Sequence, residues 1–348
     1  MNTKEKRVVT LGEIMLRLKS PGHERFFQSP ALEASFGGGE SNVAVSLSIL
    51  GIPSRFVSVV PDHDIGTAAL GELQRFGVDV SFVRRGPGRL GIYFLETGAN
   101  QRPSKVIYDR EETGISRVRP GDFEWEDIFR DARWFHITGI TPALSQSAAD
   151  TALEAVQQAS QRGVPVSIDL NFRKKLWNYG KSAPEVMAGI TQYADVVIAN
   201  EEDIQLCLGI SAQGLDVTQG HLDAAVYEDL AGRVKQAYPG VKTVAITMRQ
   251  SISADKNGWS AALAGPEGFT VSRKYAIDDI IDRVGGGDSF SAGLIFGLLE
   301  FPGDQERVIN FAVAASALKH SIPGDFNLAQ RQEVETLAGG DGSGRVQR

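Results

Sequence analysis

The stretch Asp282-Arg283-Val284-Gly285-Gly286-Gly287-Asp288-Ser289-Phe290-Ser291-Ala292-Gly293 is followed by an apolar run from Leu294 to Leu299. Three successive glycines permit a tight turn, and the residues that follow have helical character. The first N–H groups of a helix have no partner within the helix, and the helix dipole is positive at that end. The stretch therefore predicts a site that binds an anion such as phosphate.

Asp288 places a carboxylate at the rim of this predicted anion site, where it would repel a resting phosphate. General-base catalysis reconciles the two features. Asp288 would accept a proton from a substrate hydroxyl, while the N–H groups of Gly285, Gly286 and Gly287 stabilise a phosphoryl group during transfer. The glycine-aspartate segment alone is better explained as an ordinary strand-to-helix turn, so this assignment depends on the longer stretch.

A second glycine-rich segment, from Phe36 to Gly51, precedes another helical pattern near the N-terminus. Apolar residues from Val43 to Leu50 keep a helical spacing, and Gly51 suits the end of the helix. Asn42 stands near the start of this helix, where it is by itself explained as a cap.

Together the two segments resemble, in the same order, the two signatures of the ribokinase-like (phosphofructokinase-B type) sugar kinases. The resemblance extends over about residues 7 to 325. In that family the last Asp of the C-terminal signature is the catalytic base, and the N-terminal signature binds sugar hydroxyls. The resemblance therefore implies that Asp288 is the base, that Gly38 and Asn42 contact the sugar, and that ATP with Mg²⁺ is the phosphoryl donor.

Within this family, the segments 21 to 27, 138 to 144 and 169 to 177 are most similar to 2-dehydro-3-deoxygluconate kinases. A 2-keto-3-deoxy hexonate carries a carboxylate, which arginine binds through paired, charge-assisted hydrogen bonds. The resemblance implies a sugar-acid site lined by Gly38, Asn42, Tyr93, Tyr108, Arg110 and Arg173.

Other interpretations remain open for the arginines and for the activity. Arg110 and Arg173, taken singly, are equally well explained as solvated surface side chains, and for Arg17, a weaker third candidate, that explanation is preferred. A kinase of the same family that acts on a neutral ketose or another sugar is one alternative. A binding protein that senses a sugar or nucleotide without turnover is another, but the intact Asp288 argues against it.

The nucleotide and metal sites are assigned from the resemblance. It implies that the nucleotide contacts Asn200, Thr247, Arg249, Gly287 and Asn310. Asp203 replaces the Glu of the family's Asn-x-x-Glu element, and its shorter side chain would reach Mg²⁺ through water. Asp282 stands where relatives help to bind a monovalent cation such as K⁺, although capping of the turn suits it equally.

The order of elements predicts an α/β fold of the ribokinase-like kind. From about Trp134 onward, strand-like and helix-like patterns alternate, which indicates a mostly parallel central sheet with helices on both faces. Ligands in such folds bind at the carboxyl ends of the strands. We predict a core of residues 1 to 13, 37 to 87 and 113 to 330, a β-rich lid of residues 14 to 36 and 88 to 112, and a disordered tail from 338 to 348.

The lid is also the predicted contact between subunits. Its apolar outer face, with Phe26, Phe27, Ile92 and Phe94 as candidates, would be covered by a second copy in a homo-oligomer.

Composition excludes several other classes of protein. The chain has 348 residues, of which 42% are hydrophobic, so it can bury a large core, and its formal net charge of −7 argues against nucleic acid or a membrane surface as partner. No Walker-type loop and no complete dinucleotide fingerprint is present. Cys207 is the single cysteine, so an intrachain disulfide is excluded. No signal peptide or membrane-length apolar run is recognised, which predicts a cytoplasmic protein.

Overall fold

The computed structural model describes residues 6–211 and 224–344, and ten strands within them form one sheet. The strands are β1 (Arg7–Leu11), β2 (Met15–Lys19), β3 (Glu33–Gly37), β4 (Ser54–Pro61), β5 (Val83–Gly86), β6 (Gly91–Glu96), β7 (Lys105–Asp109), β8 (Ala132–Thr138), β9 (Val166–Asp169), β10 (Val196–Ala199), β11 (Thr243–Ser251), β12 (Asn257–Gly265), β13 (Gly268–Val271) and β14 (Tyr275–Ile277). The helices are α1 (Gly39–Ile49), α2 (Asp64–Arg75), α3 (Trp125–Phe129), α4 (Ile140–Ala143), α5 (Gln146–Gln161), α6 (Ala183–Thr191), α7 (Glu201–Leu208), α8 (Ala224–Ala237), α9 (Gly286–Glu300), α10 (Gln305–Lys319) and α11 (Arg331–Ala338).

The main sheet has the order β13-β12-β11-β10-β9-β8-β1-β4-β5, and β14 pairs with β12. All neighbours from β11 to β5 run parallel, whereas β12 pairs antiparallel with β11, β13 and β14. Strands β1, β9 and β10 are short, mainly apolar runs because helices cover both of their faces. The predicted mostly parallel α/β sheet is confirmed.

Successive residues of the central strands pack into different apolar clusters. Val197 belongs to a cluster with residues of α5 to α8, and Val196 and Ile198 belong to a second cluster with residues of α1, α9 and α10. Helices α9 and α10 approach closely because Gly293 has no side chain: a Cβ there would lie 2.9 Å from Ala312 Cα. Since α1 and α9 share one cluster, the two glycine-rich segments of the sequence begin neighbouring helices.

A separate four-stranded sheet has the order β3-β2-β6-β7. Strand β2 runs antiparallel to β3 and parallel to β6, and β7 runs antiparallel to β6. This small sheet therefore combines strands from both segments of the predicted lid, and the small separate sheet of the predicted fold class is observed. The assignment of these segments as a domain that closes over the core stays a prediction.

Two predicted features extend beyond the described residues. The alternation of strands and helices predicted from Trp134 onward passes through residues 212 to 223, which lie outside the described part of the chain, and α8 begins at Ala224. Ala338, where the predicted tail begins, is the last residue of α11, and residues 345 to 348 are outside the description. Within 6–211 and 224–344, none of the helices combines the length and the apolar character needed to cross a bilayer.

Candidate active site

The glycine turn before α9 forms the start of a helix that has no side-chain cap. Gly285 is the N-cap, with φ 82° and ψ 0°, and a Cβ at this position would lie 2.0 Å from the carbonyl oxygen of Asp325. Gly286 N–H donates to Arg283 O at 3.3 Å, and α9 has no side-chain cap. A Cβ on Gly287 would meet nothing within 4 Å. The N–H groups of Gly287 and Asp288 are therefore the ones that remain available for an anion, rather than that of Gly286.

Asp288 contacts the N-terminal signature directly. The Asn42 side chain donates from Nδ2 to Asp288 Oδ2 at 2.6 Å, and Gly38 N–H donates to Asn42 Oδ1 at 3.1 Å. Asn42 lies inside α1, whose N-cap is Gly38, so it is not the simple cap that the local sequence suggests. The predicted base and the predicted sugar-binding residues are thus brought together at the start of two helices.

Three carboxyl groups, those of the buried Asp169 and Asp203 and of the partly buried Asp288, lie near the ends of β9 and β10 and at the glycine turn. Burial raises the pKa of Asp288 to about 6, against the lowering effect of its hydrogen bond from Asn42. Burial and the charges of Asp203 and Asp288 raise the pKa of Asp169 to about 8. The pKa of Asp203 rises to about 6, mainly through burial. Asp169 is therefore mainly protonated at neutral pH, beside the ionised carboxylates of Asp203 and Asp288.

Side-chain and backbone donors hold two of these carboxylates. Ser291 Oγ donates to Asp169 Oδ2 at 3.2 Å, and Phe172 N–H donates to Asp203 Oδ1 at 3.0 Å. No group of three or more His, Cys, Asp or Glu side chains in the described ranges could hold a metal ion by itself. A magnesium ion at this edge would therefore need water and phosphate oxygens as further ligands, which is the usual environment of Mg²⁺ in kinases.

Arg173 is exposed, yet its charge acts on this carboxylate group. It lowers the pKa of Asp169, Asp203 and Asp288. Its Nη1 donates to Phe172 O at 3.1 Å. The structure thus brings Arg173 near Asp288.

Arg110 is buried, so its interpretation as a surface side chain is wrong. It forms an ion pair with the buried Glu13, and its guanidinium lies 5.5 Å from the ring centre of Tyr108. Within the described chain, Arg110 Nε and Glu13 Oε1 have no hydrogen-bond partner. Glu13 O also lies 1.9 Å from the position that a Cβ on Gly38 would take. Arg110 therefore lies beside the N-terminal signature with unused hydrogen-bonding capacity.

The surface interpretation of Arg17 is also wrong. Only 1% of its side chain is exposed, and it pairs with Asp282 and, through Nη1 at 2.8 Å, with Asp325. Tyr93 OH donates to the same Asp325 oxygen at 2.5 Å, so the hydroxyl of this predicted substrate residue is already bonded. The ring of Tyr108 lies 5.9 Å from that of Tyr93 and is partly exposed.

Asp282 has the capping role that was the alternative to cation binding. Its Oδ1 accepts from Val284 N–H, and its Oδ2 accepts from Gly324 N–H, each at 3.1 Å, in addition to the pair with Arg17. Sequence reasoning missed Asp325, whose only local signal is the turn Pro323-Gly324-Asp325 after a long apolar helix.

Most of the predicted nucleotide residues lie around the ends of β10 and β11. Asn200 caps α7 and accepts from Asp203 N–H at 2.7 Å, and Thr247 Oγ1 donates to Ala199 O at 3.4 Å. Arg249 follows on β11. Asn310 is separate: it accepts from Arg273 N–H at 2.8 Å and lines a cavity of about 420 Å³ beside α10 and α11, which none of the other predicted nucleotide residues lines.

The chain is similar to known carbohydrate kinases in sequence and in fold. A family profile described as pfkB family carbohydrate kinase matches residues 5–327. The chain is similar to the crystal structure of a 2-dehydro-3-deoxygluconokinase from Thermotoga maritima, with 46% sequence identity and a TM-score of 0.89 over 96% of this chain and 100% of that one. It is 32% identical to a 2-dehydro-3-deoxygalactonokinase from Haloferax volcanii over 96% of this chain and 97% of the relative. A putative ribokinase II from E. coli, solved with ATP and Mg²⁺, shares the fold at 20% identity, with a TM-score of 0.76 and coverage of 95% and 98%. The chain therefore belongs to the pfkB family of carbohydrate kinases.

Proposed function

We propose that the protein transfers the γ-phosphoryl group of ATP to the terminal hydroxyl of 2-dehydro-3-deoxy-D-gluconate. The observation that carries the proposal is the 2.6 Å hydrogen bond between Asn42 and Asp288, because it joins the sugar-binding signature to a carboxylate at the anion-binding turn. The similarity to kinases named for 2-keto-3-deoxy sugar acids supports this class of substrate.

Asp288 is the general base in this proposal. A carboxyl group with a pKa near 6 is ionised at neutral pH and still accepts a proton more readily than an exposed aspartate. Asn42 holds Oδ2 of the carboxylate and leaves Oδ1 for the substrate hydroxyl. The N–H groups of Gly287 and Asp288, at the positive end of α9, stabilise charge on the transferred phosphoryl group.

The residues present suit ATP and Mg²⁺. The open space above Gly287 leaves room for a phosphate, and a divalent cation beside it would favour the ionised forms of Asp169 and Asp203, with Asp203 acting through water. Bound Mg²⁺ would supply neutralisation of the phosphate charge. Asn200, Thr247 and Arg249 are the proposed nucleotide contacts.

Asn310 is proposed to contact the nucleotide from the cavity beside α10. A second substrate, the galactonate epimer, is favoured by the name of the Haloferax volcanii relative. The two acids carry the same carboxylate, so the charged residues of the site do not distinguish them.

The activity is tested by measuring ADP formation with ATP and Mg²⁺ on the gluconate derivative, its galactonate epimer and fructose. We expect turnover of one or both sugar acids and little turnover of fructose. Fructose as the best substrate would favour a neutral-ketose kinase. Binding of ATP without turnover of any sugar would favour a sensor.

Substrate charge gives a sharper prediction. We propose that Arg110 and Arg173 bind the substrate carboxylate, so Arg110→Ala or Arg173→Ala removes a charge-assisted interaction worth about 1.5 to 3 kcal/mol, or about 10- to 150-fold in kcat/KM. The loss should be large for the sugar acid, whereas any slow turnover of fructose should change little, because fructose has no anionic group to lose a partner. Replacement by Lys should recover only part of it, because an ammonium lacks the planar pair of donors.

Lys174→Ala is the matched control for Arg173, since it removes a neighbouring exposed positive charge. We expect it to have little effect on either substrate. Equal losses on acid and ketose in the arginine variants would assign these residues to phosphoryl transfer or to the fold instead. For Arg110, Glu13→Gln tests the ion pair separately from the substrate contact.

We also propose that a second copy of the chain covers the small sheet. Ile92, Phe94 and Ile107 lie on one face, as their cross-strand pairing and the alternation of β-strands require. Phe27 is 71% exposed and Ile107 is 54% exposed. Sedimentation at assay concentration should give a dimer, and Ile107→Asp should give a monomer, whereas Val271→Asp, at an exposed residue of β13 at the edge of the main sheet, should not. A wild-type monomer would contradict the proposal.

A further inference from the structure

Lys319, the last residue of α10, is fully buried beside the glycine turn. Its Nζ donates to Ile322 O at 2.8 Å and to Asp282 O at 3.4 Å. Its Cε lies 3.4 Å from the position that a Cβ on Gly285 would take. The ammonium group therefore contacts the segment that leads into the turn.

The ammonium lies among carboxylates. The charges of Asp282, Asp325 and Asp288 raise the pKa of Lys319, while burial lowers it more strongly, to about 8. The side chain is therefore charged at neutral pH. In return, its charge lowers the pKa of Asp288.

The same place does not suit a free monovalent cation. Such an ion replaces its water shell with several oxygen ligands, typically backbone carbonyls. Here the Asp282 carbonyl already accepts from Lys319, and both carboxylate oxygens of Asp282 accept from Arg17 or from backbone N–H groups. The K⁺ site predicted at Asp282 is thus taken by a cation that belongs to the chain.

We propose that Lys319 is a positioning residue whose ammonium replaces a monovalent cation at the start of the glycine turn, so that the kinase works without K⁺. By holding the carbonyl groups of Asp282 and Ile322 together, Lys319 fixes the approach to Gly285 and hence the direction of the N–H groups at the start of α9. This inference rests on the proposed kinase activity. Its test includes the melting temperature, which can be measured whether or not the protein has that activity.

The first test uses the wild-type protein. ADP formation is measured directly, by chromatography, with K⁺ salts exchanged for choline salts at constant ionic strength, since coupling enzymes can themselves need K⁺. We expect the same rate in both salts. A wild-type rate that depends on K⁺ would overturn the proposal.

The second test removes the ammonium. Lys319→Ala should lower kcat about 10²-fold in choline salts, the typical effect of a small misplacement of reacting groups. K⁺ or NH₄⁺ should restore most of that rate, because each fits the vacated space, whereas Lys319→Met, which keeps the apolar chain, should not be rescued. Lys235→Ala, which removes a half-buried ammonium that donates to Gly265 O at 3.3 Å, is the control and should show no response to K⁺.

Thermal unfolding tests the role of Lys319 independently of the proposed kinase activity. K⁺ should raise the Tm of Lys319→Ala and leave the wild-type Tm unchanged, because an ion that binds only the folded state stabilises it. An inactive wild type with this pattern of Tm would contradict the proposed substrate and uphold the role of Lys319. A Lys319→Ala variant that folds and responds to K⁺ in neither rate nor Tm would refute the role of Lys319.

Discussion

Asp288→Asn is expected to lower kcat by about 10² or more, the range found for loss of a general base. The amide has the shape of the carboxylate and can still bond to Asn42, so the variant should fold and bind ATP and sugar normally. What it lacks is a basic oxygen to accept the proton of the substrate hydroxyl. The measurement is kcat by direct ADP detection, together with substrate affinity by calorimetry.

The pH dependence identifies the same group. Burial raises the pKa of Asp288 to about 6, and the base works only when deprotonated, so wild-type kcat/KM should fall as the pH drops below about 6. The residual kcat/KM of Asp288→Asn should not fall in this way as the pH drops below about 6. Asp64→Asn, at the exposed start of α2, is the control and should behave as wild type. A folded Asp288→Asn variant with near-normal kcat would exclude Asp288 as the base.

Arg17→Met is expected to have the largest effect on stability. Arg17 neutralises Asp282 and Asp325, and all three side chains are buried. Removing one partner of a buried ion pair leaves an uncompensated charge, at a cost of about 3 to 5 kcal/mol in the free energy of unfolding. Methionine preserves much of the volume, so the loss reports the charge rather than a cavity. Urea unfolding at pH 7 measures it.

Two further variants make this result specific. Arg25→Met removes another arginine of the segment 14 to 36, whose side chain is 57% exposed and lies 3.5 Å from Glu96. This variant should lower the free energy of unfolding by less than about 1 kcal/mol. Arg17→Met/Asp325→Asn should be more stable than Arg17→Met alone, because one unpaired charge is gone. Equal stabilities of Arg17→Met and Arg25→Met would show that the buried pairs contribute little.

The stability loss should also depend on pH. Burial raises the pKa of Asp325, and Arg17 counteracts this, so the pKa rises further in Arg17→Met. A carboxyl group whose pKa is raised in the folded state stabilises it at pH values below the unfolded pKa and loses that contribution as the pH rises through the folded pKa. The difference between wild type and Arg17→Met should therefore be smaller near pH 4 than at pH 7.

The sequence could predict the parallel sheet and the two glycine-rich helix starts, because these depend on local residue patterns and on the order of strands and helices along the chain. It could not predict the burial of Arg17. In Met15–Lys19 the leucines alternate with Arg17, which normally indicates that the leucines face inward and the arginine faces water. In the structure the alternation is inverted: Arg17 faces inward against Asp282 and Asp325, and Leu16 and Leu18 lie on the partly exposed face of the small sheet.

Arg110 illustrates the same limit. Its partner Glu13 is 97 residues away in the chain, and no local pattern connects them. Lys319 is the last residue of a helix, where a lysine ordinarily extends its ammonium into solvent. Its ammonium is buried because the following turn folds around it. In each case tertiary packing, rather than local propensity, decides whether a charge is internal.

The contact between Asn42 and Asp288 joins residues that are 246 positions apart. During synthesis at about 5 to 20 residues per second, about 12 to 50 s separate the emergence of these two residues from the ribosome. Throughout that interval α1, with Val43 and Leu47, lacks the helix against which it packs, because Phe290 and Ile295 of α9 have not yet been made. The apolar face of α1 that α9 later covers is therefore without that partner for the whole of this interval, and the site is completed only when α9 has been made.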